Sequence, residues 1–246
     1  MTMIVNKLHL VRDRIHQACQ DAGRDPASVQ LLAVSKTFGP EAVREAAAAG
    51  QTAFGENYLQ EGVDKMAALD APPHPLLPRP AWHCIGPVQS NKTKLVATHF
   101  DWLHTLDRLK IAQRLNEQRG DDQAPLQVCL QVNIDGGANK SGLAPQEVLP
   151  LARAVLGLPR LRLRGLMTIP EPQPDFESQK QVHLQARALF DLVRQTLLEE
   201  GLPGAADFDT LSMGMTGDLE AAIHAGSTMV RVGSAIFGGR SYPAAT

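Results

Sequence analysis

Eight short apolar runs, each bounded by turn residues and all but the last clearly followed by a stretch of helical period, constrain this chain more than any other feature. Ahead of them, Ile4, Leu8, Val11 and Ile15 recur at spacings of four, three and four, the pattern of an amphipathic helix. The spacing then predicts a strand around residues 30–35 with a helix over 41–49 stopped by Gly50, and a strand over 52–55 with a helix over 58–69. A proline-rich connector at 71–80, unable to form helix or central strand, reads as a surface excursion. Beyond it come a strand at 82–85 with a helix at 91–98, a short strand at 102–103 with a helix at 108–119, and a strand at 126–134 with a helix beginning near Pro145, a residue suited to a first turn. A strand at 163–169 precedes a long helix whose stripe is Val182, Ala186, Leu189, Val193 and Leu197. The last units are a strand at 209–212, a helix at 218–225 and a strand at 228–232. Eight such units imply an α/β fold of one kind, a single (β/α)8 TIM-type barrel with an extra N-terminal helix, filling residues 1–246 as one domain. A doubly wound sheet is the alternative, but no Gly-x-Gly-x-x-Gly follows the first strand, and the units share no residue-level repeat that would indicate a solenoid.

Composition excludes several classes of function. In 246 residues, 43% of them hydrophobic, there is enough apolar surface for a large core. A net charge of -2, with lysine and arginine spread along the chain, gives no footprint for nucleic acid or an anionic membrane. No stretch reaches a membrane span, and Asn6, Lys7, Arg12, Asp13 and Arg14 interrupt any signal-peptide core near the start. Cys19, Cys84 and Cys129 are too few and too dispersed for a disulfide framework or a zinc cluster. A cytoplasmic protein is expected.

On a barrel of this type chemistry lies at the carboxyl ends of the strands. The polar residues there, in order, are Lys36, Glu56 with Asn57, His83, His104, Asn133, Met167 with Thr168, Ser212, and the run Arg231-Val232-Gly233-Ser234. Together they suit an anionic ligand bearing a carbonyl. Lys36 ends the apolar run 31–35, where partial desolvation lowers an amine's pKa and makes it nucleophilic; taken alone, its position favours a lysine pointing into water. His83 and His104 singly read as structural, and Asn57 as a cap for the next helix. The loops after the seventh and eighth strands, Ser212 to Asp218 and Gly233 to Gly238, combine glycine with hydroxyl residues as phosphate-binding loops of barrels do. With Lys36 on the adjacent first strand, a phosphate site joined to an amine becomes the favoured reading. Two other motifs are set aside: Gly136 to Ser141 resembles a nucleotide-binding loop, but its spacing is broken at Ile134 and Asn139, and His99 with His104 lacks metal-ligand spacing, so no metal is expected.

The runs Leu32-Ala33-Val34-Ser35-Lys36, Phe54-Gly55-Glu56-Asn57-Tyr58-Leu59-Gln60-Glu61, Trp82-His83-Cys84-Ile85-Gly86, Gln89-Ser90-Asn91-Lys92, Gly165-Leu166-Met167, Leu211-Ser212-Met213-Gly214-Met215 and Met229 to Gly238 occur in one order along nearly the whole chain. As a set they resemble the pyridoxal-phosphate homeostasis proteins, the YggS or PROSC group. That resemblance implies a barrel like the amino-terminal domain of alanine racemase, with pyridoxal 5'-phosphate as a Schiff base on Lys36, phosphate contacts from Ser212, Gly233 and Ser234, and Arg231 near the pyridine nitrogen. The candidate cofactor-binding set is Lys36, Asn57, His83, Met167, Ser212, Met213, Arg231, Gly233 and Ser234, with no catalytic residue assigned. Cys84 replaces an aromatic residue usual in the family, Ser234 a threonine, and the 71–80 connector is richer in proline.

An arginine facing the ring nitrogen stays charged and only donates, which leaves that nitrogen unprotonated and the cofactor a weak electron sink. A racemase also needs an acid and a base on opposite faces of the substrate carbon, and the chain ends shortly after its eighth strand, so a second, β-rich domain supplying a tyrosine is not expected. Tyr58 and Tyr242 are the only tyrosines, and neither is obviously placed for that role. The expectation is a monomeric carrier serving cofactor homeostasis, without turnover of its own, that delivers pyridoxal phosphate to the apo forms of dependent enzymes. A racemase or related enzyme is the alternative, and a cofactor-free class I aldolase using Lys36 is a third reading. Lys140, in the loop after the fifth strand, is a candidate for transient capture of a second cofactor molecule.

Overall fold

The computed structural model describes residues 2–137 and 141–239; Lys140 and Tyr242 lie outside them. The apolar runs form strands β1 (Gln30–Val34), β2 (Ala53–Glu56), β3 (Ala81–Cys84), β4 (Trp102–Leu106), β5 (Leu126–Val132), β6 (Leu161–Thr168), β7 (Thr210–Ser212) and β8 (Met229–Val232), paired in that order into a closed barrel. β8 runs parallel to β1, with Gln30 opposite Met229 and Leu32 opposite Arg231. Parallel neighbours need a crossover, and helices supply it: α2 (Pro40–Ala48), α3 (Leu59–Asp70), α4 (Thr93–His99), α5 (Leu109–Gln118), α6 (Pro145–Leu156), α7 (Phe176–Glu199) and α8 (Leu219–His224), with α1 (Met3–Asp21) before the barrel and a short α9 (Ser234–Phe237) after it. Among the described residues no helix is long and apolar enough to cross a membrane.

Helix starts follow local chemistry. Pro40 and Pro145 occupy first turns, and the Asp175 carboxylate accepts the Ser178 N–H at 2.9 Å to open α7. The buried row of α7 is His183, Ala186, Phe190, Val193 and Leu197, whereas Val182 and Leu189 of the expected stripe are only half-buried. A histidine on the core face is invisible to an apolar count. The expected helix at 91–98 opens with a 3-10 turn, Ser90–Lys92, and the strand expected at 102–103 continues to Leu106. α3 starts from Tyr58 with no side-chain cap, so Asn57 does not have the capping role considered for it.

Strand side chains alternate between two cores. One face meets the surrounding helices in a large apolar cluster containing Ala33, Phe54, Trp82, Leu103, Leu130, Leu166 and Leu211. The other fills the lumen, where Leu32, Ala53, Trp102, Cys129, Met167 and Met229 pack together. In β6 a bulge changes which residues face in: Val128 pairs with Leu163 but Cys129 pairs with Gly165, so Arg164 is an extra residue. Gly165 sits at φ 151°, and a Cβ there would lie 1.8 Å from the Thr210 carbonyl oxygen. Beyond the bulge, Met167 rather than Leu166 belongs to the lumen.

The two-residue period also explains the mouth. Leu32 leads by twos through Val34 to Lys36, Ala53 through Gly55 to Asn57, and Met229 through Arg231 to Gly233, so the inward rows of β1, β2 and β8 run out into the loops above them. Outside, α1 buries Leu8, Val11, Ile15, Ala18 and Cys19. From α1, Arg14 donates to the Thr216 carbonyl at 3.0 Å and to the Glu220 carboxylate at 2.8 Å, tying this helix to the loop after β7.

Candidate functional site

A cavity of about 340 Å³ opens at the carboxyl ends of the strands. Lys36 and Phe38 enter it from the β1 loop, Asn57 from β2, Ile85 from β3, Ile169 from β6, Met215, Thr216 and Gly217 from β7, and Arg231, Gly233 and Ser234 from β8 and its loop. Its side-chain donors include an amine, a guanidinium, the Asn57 amide and the hydroxyls of Thr37, Thr216 and Ser234, the last two 3.4 Å apart. Apolar walls with a few convergent polar groups are the usual make-up of a small-molecule site. At the opposite end, a cavity of about 290 Å³ lies against Arg12, Gln30 and Gln51. Its polar groups serve the fold: Arg12 donates to the Ala49 and Gly50 carbonyls, and Gln51 to those of Leu31 and Ala53.

Arg231 is 4% exposed and is held from beneath the cavity. It donates to Ser212 Oγ at 2.8 Å and to the Thr168 carbonyl at 2.8 Å. Ser212 Oγ in turn lies 3.0 Å from His104 Nδ1, and His104 Nε2 lies 2.9 Å from His83 Nδ1. β4 and β7 are not neighbours, so this chain of contacts crosses the lumen. An arginine only donates, so Ser212 Oγ accepts from Arg231, and the two imidazoles continue the line of contacts beneath it. His83 stacks on Trp102 at 5.1 Å, and its Nε2 is buried with no hydrogen-bond partner. Burial pushes the His83 pKa down to about 3, and burial with neighbouring His83 and Arg231 holds His104 well below its usual range, so both rings are neutral near pH 7. Burial also lowers Arg231 to about 10, which leaves it charged. The thiols of Cys84 and Cys129, by contrast, are pushed up to about 12 by burial.

A second polar cluster lies under the β1 loop. Lys65 of α3 is 4% exposed, and its Nζ donates to Glu56 Oε1 at 2.6 Å, to the Ser35 carbonyl at 2.8 Å and to Glu61 Oε1 at 3.3 Å. Ser35 Oγ donates to Glu56 Oε1 at 2.6 Å, and Glu61 Oε1 accepts the Thr37 N–H at 2.6 Å. Burial raises the Glu56 pKa, with Lys65 working against it. Sequence reasoning overlooked Lys65 and Glu61. The available signal was a charge on an apolar stripe, since Lys65 shares the buried row of α3 with Gly62, Met66 and Leu69.

Of the nine candidate cofactor-binding residues, Lys36, Asn57, Arg231, Gly233 and Ser234 line the mouth cavity. Ser212 reaches it through Arg231, and His83 lies two hydrogen bonds further down. Met167 and Met213 are fully buried, Met167 in the lumen and Met213 in the outer core. Thr216 and Gly217, from the Ser212 to Asp218 loop expected to bind phosphate, line the cavity as well. Among the described residues no group of three or more histidine, cysteine or acidic side chains is arranged to hold a metal ion.

Residues 8–241 match the family model described as alanine racemase, N-terminal domain. A pyridoxal phosphate homeostasis protein of Pseudomonas aeruginosa is 54% identical over 245 residues, covering 99% of each chain. PipY of Synechococcus elongatus, solved with pyridoxal phosphate bound, superposes with a TM-score of 0.79 at 34% identity, over 96% of this chain and 100% of that one. Alanine racemase of Corynebacterium glutamicum shares the fold at a TM-score of 0.61 and 17% identity, over 97% of this chain and 63% of that one.

Proposed function

The chain belongs to the pyridoxal phosphate homeostasis protein family, and on that premise we propose that it binds pyridoxal 5'-phosphate at the barrel mouth, anchors it on Lys36, and holds it for delivery rather than for turnover. The observation that carries this reading is the convergence, in one cavity of about 340 Å³, of a half-buried lysine, a buried arginine and two hydroxyl-bearing glycine loops. That donor set fits the ligand part by part. Thr216, Gly217, Gly233 and Ser234 suit a phosphate; Ile85, Ile169 and Met215 suit the faces of a flat ring; Lys36 suits an aldehyde. When bound, the cofactor supplies an aldehyde that condenses reversibly with a primary amine, releasing one water.

Arg231 favours storage over catalysis. Its guanidinium is fixed by Ser212 and Thr168 and stays charged near pH 7. Placed at the ring nitrogen, it donates a hydrogen bond and leaves that atom without a proton, so electron withdrawal into the ring is weak. The neutral His83–His104 pair adds no second charge beneath it. Tyr58 is 52% exposed and does not line the cavity, so it is not placed to move a proton there.

Absorbance spectra of the wild-type and Lys36→Ala proteins, loaded with pyridoxal phosphate and desalted, test the anchor. A visible band in the wild type that is absent from the variant is expected; a band of equal strength in both would overturn it. Exchange of the α-proton of L-amino acids in heavy water tests storage, and fast exchange that depends on Lys36 would make the protein an enzyme.

A further inference from the structure

We propose that Lys65 and Glu61 are positioning residues for Lys36, holding the turn that aims its amine into the mouth cavity. The inference rests on the reading of Lys36 as the cofactor's anchor. Lys36 sits in a tight turn, in which Phe38 N–H donates to the Ser35 carbonyl at 3.1 Å and Thr37 lies at φ 68°. A positive φ at the third residue of a turn is the preserve of glycine or asparagine, and a β-branched residue adopts it only when its surroundings compel it. Thr37 is the only non-glycine residue at positive φ among those described.

The compelling contacts come from α3. The Lys65 ammonium holds the Ser35 carbonyl, just before Lys36, while Glu61 holds the Thr37 N–H, just after it. The two tethers are joined, because Glu61 Oε1 is also a partner of Lys65 Nζ. Glu56 completes the assembly by taking Lys65 Nζ and Ser35 Oγ on the same oxygen, and its other oxygen is buried without a partner. Such a cluster is a poor way to gain stability, since an apolar side chain at position 65 would extend the row of Gly62, Met66 and Leu69 without desolvating an ammonium. What the ions provide and an apolar side chain does not is direction: hydrogen bonds at both peptide groups flanking Lys36. The lysine stem is flexible, so the backbone at its root decides where the amine spends its time.

The test separates aim from fold. Glu61→Ala removes the Thr37 tether at a half-buried site, Glu61→Gln restores an acceptor oxygen, and Lys65→Met removes the shared cation. Pyridoxal phosphate is added to each protein, borohydride is added at timed intervals, and label on the residue-36 peptide is measured by mass spectrometry. Pyridoxine 5'-phosphate, which lacks the aldehyde, is bound in parallel by equilibrium dialysis. The expected result is labelling slowed about tenfold or more in Glu61→Ala and Lys65→Met, the scale on which a misplaced reacting group shows itself. Glu61→Gln should label near the wild-type rate, and all three should bind pyridoxine 5'-phosphate like the wild type. Should Lys65→Met not fold, the two Glu61 variants decide alone. Wild-type labelling rates in Glu61→Ala, or an equal loss of pyridoxine 5'-phosphate binding, would overturn the proposal. Label that is absent from the residue-36 peptide of the wild type would instead overturn the anchor itself.

Discussion

Mild acid should weaken this protein through a histidine that never meets solvent. His83 is fully buried, and its folded pKa of about 3 reflects that burial. In the unfolded chain the same ring titrates near 6.5. A folded pKa depressed below the unfolded one gives stability that is complete above about pH 6.5 and is lost as the pH falls toward 3, because the unfolded state takes up a proton that the native state refuses. At about 1.4 kcal/mol per proton per pH unit, His83 alone removes ~2 kcal/mol between pH 6.5 and pH 5. That is a large share of a total stability of about 5–15 kcal/mol. His104 works in the same direction. Urea unfolding of the wild type and of His83→Gln at pH 7, 6 and 5 isolates the effect, since the amide presents a donor and an acceptor to His104 but does not titrate. With a urea m-value of about 3 kcal/mol/M, the wild-type midpoint should fall by about 0.7 M more than that of the variant over this range. A difference between the two proteins that is the same at pH 7 and pH 5 would refute the argument, because it would mean that His83 takes up its proton as readily in the native state as in the unfolded one.

Two further outcomes follow from the packing. Gly165→Ala should cost more than ~3 kcal/mol, read as a fall in thermal midpoint, because a Cβ would lie 1.8 Å from the Thr210 carbonyl oxygen at a φ of 151°; a midpoint within a degree of the wild type would mean that the β6 bulge relaxes freely. Cys19, Cys84 and Cys129 are all buried, and burial raises all three thiol pKa values, so an aromatic disulfide reagent should modify no more than a trace of them in the native protein at pH 7 and all of them in urea.

Much of the site was legible in sequence because the strand period is two and a barrel puts its chemistry at one end. Once eight strands are counted, Lys36, Asn57 and Gly233 fall on inward rows at the mouth. His83 and His104 were legible as strand-end polar residues, but their partnership was not. Their contact joins neighbouring strands, and the next contact, from His104 to Ser212, spans 108 positions and crosses the lumen. Met167 illustrates another limit. Its inward direction depends on the extra residue Arg164 in β6, and a bulge shifts every later side chain without disturbing the apolar pattern. Lys65 was hidden because charges on helices usually face water, and only the position of α3 over the β1 loop turns this one inward.

The order of strands and helices, the closed barrel and the end at which the mouth cavity opens were determined by the chain itself, since they follow from periodicity, loop lengths and the handed crossover of parallel strands. Tertiary structure alone decided which polar groups act together. The Arg231–Ser212–His104–His83 line and the Lys65–Glu56–Glu61 clamp join residues from separate strands and helices, and burial sets their protonation. Hydrogen bonds and desolvation act over a few ångströms, and closing the barrel is what brings residues so distant in sequence within that range.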